Sequence, residues 1–164
     1  MLRAGKVPPS LLRRYVFPRS GVSDASVLIG PSYGEDAAII DIGKGMVLVV
    51  HSDPISAASK LAGKLAVYVA TNDVAVRGIK PRWLLPVILL REGAGEGELD
   101  ELTRQLDEAS REVGATIVGG HTEVTSGLER TLLSVTASGI GRREDVVLTS
   151  GARPGDVVIA VSYT

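Results

Sequence analysis

Apolar runs of two different periods alternate along this chain, and that alternation restricts it to folds mixing strands with helices. Residues 37–41 and 46–51 read as strands joined by a hairpin at Gly43-Lys-Gly45. Residues 61–77 read as a helix stopped by Gly78, with Pro81 beyond it as a second stop signal. Leu61, Leu65, Val69, Asn72 and Val76 share one face of that helix at helical spacing, which predicts that this face is buried, with Asp73 adjoining it. Residues 83–90, rich in Leu and Ile, read as a strand, and Gly93-Ala-Gly-Glu-Gly97 as a flexible link. Residues 98–113 give a second helix, because Leu99, Leu102, Leu106, Ala109 and Val113 recur at 3-4-3-4 spacing among charged residues. Residues 115–118 read as a short buried strand running into the loop Gly119-Gly-His-Thr-Glu-Val124, and 131–141 as a long strand with one wetter face. Residues 157–161 give a last strand after the turn Gly151-Ala-Arg-Pro-Gly-Asp156, and residues 10–17 a short helix capped by Ser10 and ended by Pro18. The order β-β-α-β-α-β-β-β predicts an α+β fold with helices on one face of a mixed β-sheet.

Three acids interrupt this apolar pattern. Asp36 lies in Gly34-Glu-Asp-Ala-Ala-Ile-Ile40, Asp53 ends Val47-Leu-Val-Val-His-Ser-Asp53, and Asp73 sits inside Val69-Ala-Thr-Asn-Asp-Val-Ala-Val76. A carboxylate in apolar surroundings costs several kcal/mol, roughly, unless a cation or hydrogen-bond donors compensate it. Each acid also has a local reading, as a turn aspartate for Asp36, a turn or cap for Asp53 and a solvated helix face for Asp73. Taken together they suggest a shared cation. Asn72 adds an amide beside Asp73, and hard oxygen donors of this kind suit magnesium that bridges to phosphates.

Gly119 and Gly120 follow a strand, so their backbone N–H groups could face an anion, with His121, Thr122 and Glu123 continuing the loop. A zinc site of His51, Asp53, His121 and Glu123 is available by composition, although nothing in the spacing brings the four together. Neither a Gly-x-x-x-x-Gly-Lys-Ser/Thr loop nor a helix-opening Gly-x-Gly-x-x-Gly occurs. Any bound nucleotide therefore depends on scattered acids and metal ions.

The bulk composition narrows the partners. A formal net charge of −1 over 164 residues gives no general attraction to nucleic acid or to an anionic membrane. Aromatics are only 4%, which argues against stacking platforms for single strands. The absence of cysteine excludes thiolate nucleophiles and disulfides. No stretch reads as a signal peptide or membrane span, so cytoplasm is the expected compartment and a small molecule the expected partner.

Gly34-Glu-Asp-Ala-Ala-Ile-Ile40, His51-Ser-Asp-Pro-Ile55, Ala70-Thr-Asn-Asp-Val-Ala-Val-Arg-Gly78 with Lys80-Pro81, and Gly119-Gly-His-Thr-Glu123 stand in a recognisable order and spacing. Over residues 28–160 the chain resembles the N-terminal domain of the aminoimidazole ribonucleotide synthetase superfamily. That group also holds thiamine monophosphate kinase, selenophosphate synthetase and the hydrogenase-maturation carbamoyl dehydratase, and the chain looks most like the last of these or an archaeal-type relative. The resemblance implies an N-terminal arm over residues 1–27, an ATP-binding domain over 28–150, and over 151–164 the last strand and the start of a missing second domain. It implies a homodimer whose sheets complete a shared barrel, with ATP and Mg2+ as cofactors.

By the same resemblance Asp36, Asp53 and Asp73 match magnesium-binding acids and Glu123 joins them as a metal ligand. Gly34, Glu35, Asn72, Gly119, Gly120, His121 and Thr122 would lie around the nucleotide. The implied chemistry is transfer of the ATP γ-phosphoryl to a small substrate, activating an amide-type oxygen in the dehydratase and synthetase branches. A scaffold module of the same fold and a small-metabolite kinase are the alternatives. Several relatives carry aspartate where His121 stands, and the carrier cysteine of hydrogenase maturation is missing, so turnover is expected of a longer protein rather than of this chain alone.

Overall fold

The computed structural model describes residues 2–56 and 60–159. Among the described residues seven strands form a single open sheet, β1 (Val27–Ile29), β2 (Ala38–Gly43), β3 (Met46–Ile55), β4 (Trp83–Arg91), β5 (Thr116–Ile117), β6 (His121–Thr125) and β7 (Leu132–Arg142). The spatial order is β1-β2-β3-β7-β4-β5, with β6 also paired to β4. Pairing is antiparallel except at β4, where β5 and β6 run parallel. The sheet is therefore mixed, as expected, and within one chain it does not close.

The β2–β3 hairpin turns through Lys44 and Gly45, at φ 55° and 71°. Two successive residues at positive φ make the turn whose twist matches that of the flanking strands. β3 continues to Ile55, beyond the expected end at residue 51, and takes Asp53 and Pro54 into the strand. Proline is tolerated there because β2 begins opposite Val50, which leaves Pro54 without a neighbour on that side. The three-residue β1 is an edge strand too short for periodicity to announce.

Helix α2 (Ala62–Ala75) lies across β3 and β7 and packs on α3 (Glu96–Val113). On the helix side of the sheet Val47, Val49, Leu84, Ile88, Leu133 and Val135 form the core with Ala66, Val67, Ala70, Val74, Leu102 and Leu106. Gly63 marks the closest approach of the two helices, since a Cβ there would stand 2.7 Å from the Leu102 carbonyl oxygen.

Several expectations need correction. α2 does not bury Leu61, Leu65, Asn72 and Val76, all of which are exposed. It buries the smaller residues Ala62, Gly63, Ala66, Ala70 and Thr71 together with Val67 and Val74, because short side chains let the helix axis approach the sheet and α3. The N-terminal helix α1 (Pro9–Leu11) starts with Pro8 as its cap rather than Ser10, and continues as a π-helical turn, Leu12–Val16. Proline suits the first helical position because its missing N–H has no partner there anyway.

β5 is exposed rather than buried, and the expected 119–124 loop is the exposed edge strand β6. Residues 157–159 form no strand and are largely exposed, while the rest of the expected last strand, 160–161, lies outside the described residues. No helix among the described residues is long and apolar enough to cross a membrane.

Candidate functional site

Beyond Val50, β3 has lost its β2 neighbour, and His51 and Asp53 sit two apart on the strand, so both project from the same face. That is the α2 face, the one carrying buried Val47 and Val49. Asp73, near the C-terminal end of α2, reaches the same opening. One ligand atom from each of His51, Asp53 and Asp73 lies within 4.8 Å of the others. His51 Nε2 stands 2.8 Å from Asp73 Oδ2 and 3.9 Å from Asp53 Oδ2. The short approach is not aligned as a hydrogen bond, so this buried ring nitrogen is left without a hydrogen-bond partner.

Burial first, and then the charges of Asp36 and Asp53, push the Asp73 carboxyl above the usual carboxylate range, while His51 and Lys6 act in the opposite sense. Asp36, exposed at the entry to β2, thus belongs to the same electrostatic group. A half-buried carboxyl at Asp73, pressed by two neighbouring carboxylates beside an unpartnered imidazole nitrogen, is what a bound cation would relieve. The donor set fits a divalent ion: Asp53 and Asp73 supply hard oxygens, and His51 can either ligate or orient a ligating carboxylate.

The other residues singled out in the sequence fall elsewhere. Glu35 is taken by Arg77, whose Nη2 lies 2.5 Å from Glu35 Oε2, and by Thr149, whose hydroxyl donates at 2.6 Å. Those contacts, with Thr149 acting most strongly, hold the Glu35 carboxyl below the usual range. Gly34, at φ +89°, precedes it in open space, and Asn72 is exposed.

Gly119, Gly120, His121 and Thr122 line a cleft of about 320 Å³ against Thr103 and Leu106 of α3. Gly120 has no room for a side chain, since a Cβ there would meet the Pro86 carbonyl oxygen at 2.1 Å. His121 pairs across from Val87 and Glu123 from Leu89, which places both on the sheet face opposite His51 and Asp53. Three strand spacings separate them from β3. The zinc set of His51, Asp53, His121 and Glu123 is therefore not assembled within one chain. Glu123 is held instead by His121 Nε2 at 3.0 Å and the Thr125 hydroxyl at 2.8 Å, which lower its carboxyl in that order of strength.

A larger cleft, about 530 Å³, opens at the other end of α2 around Ala62, Arg91, Glu101 and Arg130, away from the acid cluster. His51 is the residue that sequence reasoning left outside the acid set. The signal was present, because its position two before Asp53 on a strand puts both on one face.

Fold and site together define an open mixed-sheet α+β domain with an acidic cluster where β3 outruns β2. Residues 34–141 match the family described as AIR synthase related protein, N-terminal domain, and the chain belongs to that family. It is 29% identical over 159 residues to a hydrogenase expression/formation protein of Methanocaldococcus jannaschii, covering 94% of this chain and 48% of that protein. It is 31% identical over 133 residues to the carbamoyl dehydratase HypE of Cupriavidus necator, covering 77% of this chain and 38% of that one. A crystal structure of the hydrogenase maturation protein HypE in complex with ATP superposes with a TM-score of 0.63 at 28% identity, covering 73% of this chain and 37% of that one. The chain thus spans less than half the length of these relatives.

Proposed function

We propose that this chain is the ATP- and metal-binding half of an enzyme that transfers the γ-phosphoryl of ATP to a small substrate, activating an amide-type oxygen. The observation that carries this reading is the convergence of Asp53, Asp73 and His51, with the charge of Asp36 acting on the same group. Family membership and the ATP complex of a related HypE support nucleotide as the ligand.

Asp36, Asp53 and Asp73 would hold magnesium, which when bound supplies neutralisation of phosphate charge. The chain's own residues provide an acidic floor, with the His51 ring nitrogen set against Asp73. Gly119, Gly120, His121 and Thr122 lie three strand spacings from the acid cluster, so they are proposed to border a nucleotide held by a second copy of the chain. Glu123 faces the other side of the sheet, so a ligand role for it requires a second copy of the chain. Phosphoryl transfer needs alignment and charge compensation more than a protein nucleophile, which agrees with a cysteine-free chain.

The reading is tested by calorimetry of ATP with and without magnesium. Magnesium-dependent binding is expected in the unaltered chain, weakened at least about a hundredfold in Asp73→Asn, on the scale of losing a charge-assisted contact. Equal affinity in the two proteins would remove the metal site from the proposal.

A further inference from the structure

We propose that Arg77 and Glu35 are positioning residues for the acid cluster: their ion pair locks the segment carrying Asp36 against the end of α2 that carries Asp73. The inference rests on reading the aspartates as a metal site. Arg77 is the largest fully buried side chain among the described residues, only 1% exposed. Its one side-chain partner among the described residues is the Glu35 carboxylate at 2.5 Å, and its Nε has none. A buried guanidinium is retained only when its charge is compensated, so Glu35 is held where Arg77 needs it.

The connectivity gives that constraint a purpose. Glu35 immediately precedes Asp36, and Arg77 follows Asp73 by four residues, about one helical turn. The pair therefore ties the segment carrying Asp36 to the helix end carrying Asp73, whose carboxyl feels the Asp36 charge. Thr149 fastens the second Glu35 oxygen, and the Val147 N–H donates to the Arg77 carbonyl at 2.9 Å. The segment leaving the domain is thus fixed to the same joint. Groups that orient ligands without touching the ion typically change metal affinity about 10–100-fold when removed.

The test is an electron paramagnetic resonance titration with Mn2+ alone, alongside thermal melting, on the whole chain. Arg77→Met and Glu35→Gln are each expected to weaken Mn2+ binding about 10–100-fold. Arg77→Lys, which keeps a cation facing Glu35, is expected to stay within about threefold because the pair is single-contact rather than a bidentate fork. If Arg77→Met does not fold, Glu35→Gln decides, since that carboxylate is partly solvated. Lower melting temperatures with unchanged Mn2+ affinity would make the pair a stability device only and overturn the proposal. Asp73→Asn is the control: if it binds Mn2+ as the unaltered chain does, the metal reading itself fails; if it alone loses binding, the positioning role fails.

Discussion

Gln105 is 3% exposed, and its amide supplies the cap that Leu61 cannot give to α2. Its Oε1 accepts the Gly63 N–H at 3.0 Å, and its Nε2 donates to the Lys60 carbonyl at 2.9 Å and to Glu101 at 2.6 Å. Truncation to alanine would orphan a buried N–H and open space between the helices. Gln105→Ala is therefore expected to cost about 2 kcal/mol, a drop of roughly 4–8 °C in Tm for a domain of this size, measured by calorimetric melting. Nothing in the sequence announces this role, since a glutamine on a charged helix reads as surface. The aspartates were more legible, because a lone acid among apolar residues is improbable without compensation. What could not be read was the partner of each: the contact between His51 and Asp73 and the pairing of Glu35 with Arg77 join segments 22 and 42 residues apart in sequence, and periodicity says only which residues share a face.

Among the elements, α3 was legible except at its start, because one stripe is apolar and the rest is charged, while Glu96 and Gly97, expected in the flexible link, open the helix. α2 was legible as a helix but not in orientation. It carries apolar residues around most of its circumference, so the larger side chains suggested the wrong buried face, and the requirement for close approach selected the small ones. β6 was missed because its largely exposed sequence has no buried alternation to detect.

The α2–α3 contact carries an outer layer of charge as well. Lys64 reaches Glu108 at 3.2 Å and Glu112 at 3.4 Å, and the Tyr68 hydroxyl donates to Glu112. Tyr68 first and then Lys64 hold the Glu112 carboxyl below its ordinary value of 4.5. A carboxyl whose folded value is depressed contributes stability that is fully present above the unfolded value and is lost as pH falls through the folded one. Denaturant melts of the unaltered chain and Glu112→Gln should therefore differ near neutrality, the variant being less stable, and converge as the pH falls through the lowered folded-state value of Glu112. A constant offset across that range would show that the carboxylate's charge contributes nothing to the joint.

At the scale of the whole molecule the helices lie on one side of the sheet, and the other side carries apolar patches separated by hydroxyl-bearing residues. Ile40, Leu48 and Ile140 stand in one row across β2, β3 and β7, with Leu85, Val87 and Leu89 of β4 on the same face beyond the serines and threonines of β7. Leu85 is 43% exposed. Two apolar patches on one sheet face, parted by a seam of hydroxyl groups, mark a surface to be covered. A second copy is the proposed occupant, because the family resemblance implies two such sheets completing one barrel, and because a self-complementary face closes a dimer without leaving a further sticky edge. The face that would become the interior is also the one carrying His121 and Glu123, so dimerisation would decide whether those residues can meet a neighbouring chain's site.

Sedimentation of the unaltered chain is expected to give a dimer. Leu48→Arg, which places a charge in the middle of the Ile40–Leu48–Ile140 row, should shift it to monomer, with a loss of at least about 2 kcal/mol, or roughly thirtyfold in dissociation constant. The helix-side core is untouched by that substitution, so circular dichroism should still report a folded chain. A monomer at high concentration in the unaltered protein, or an unchanged dimer in Leu48→Arg, would mean that this face is covered by something other than its own copy.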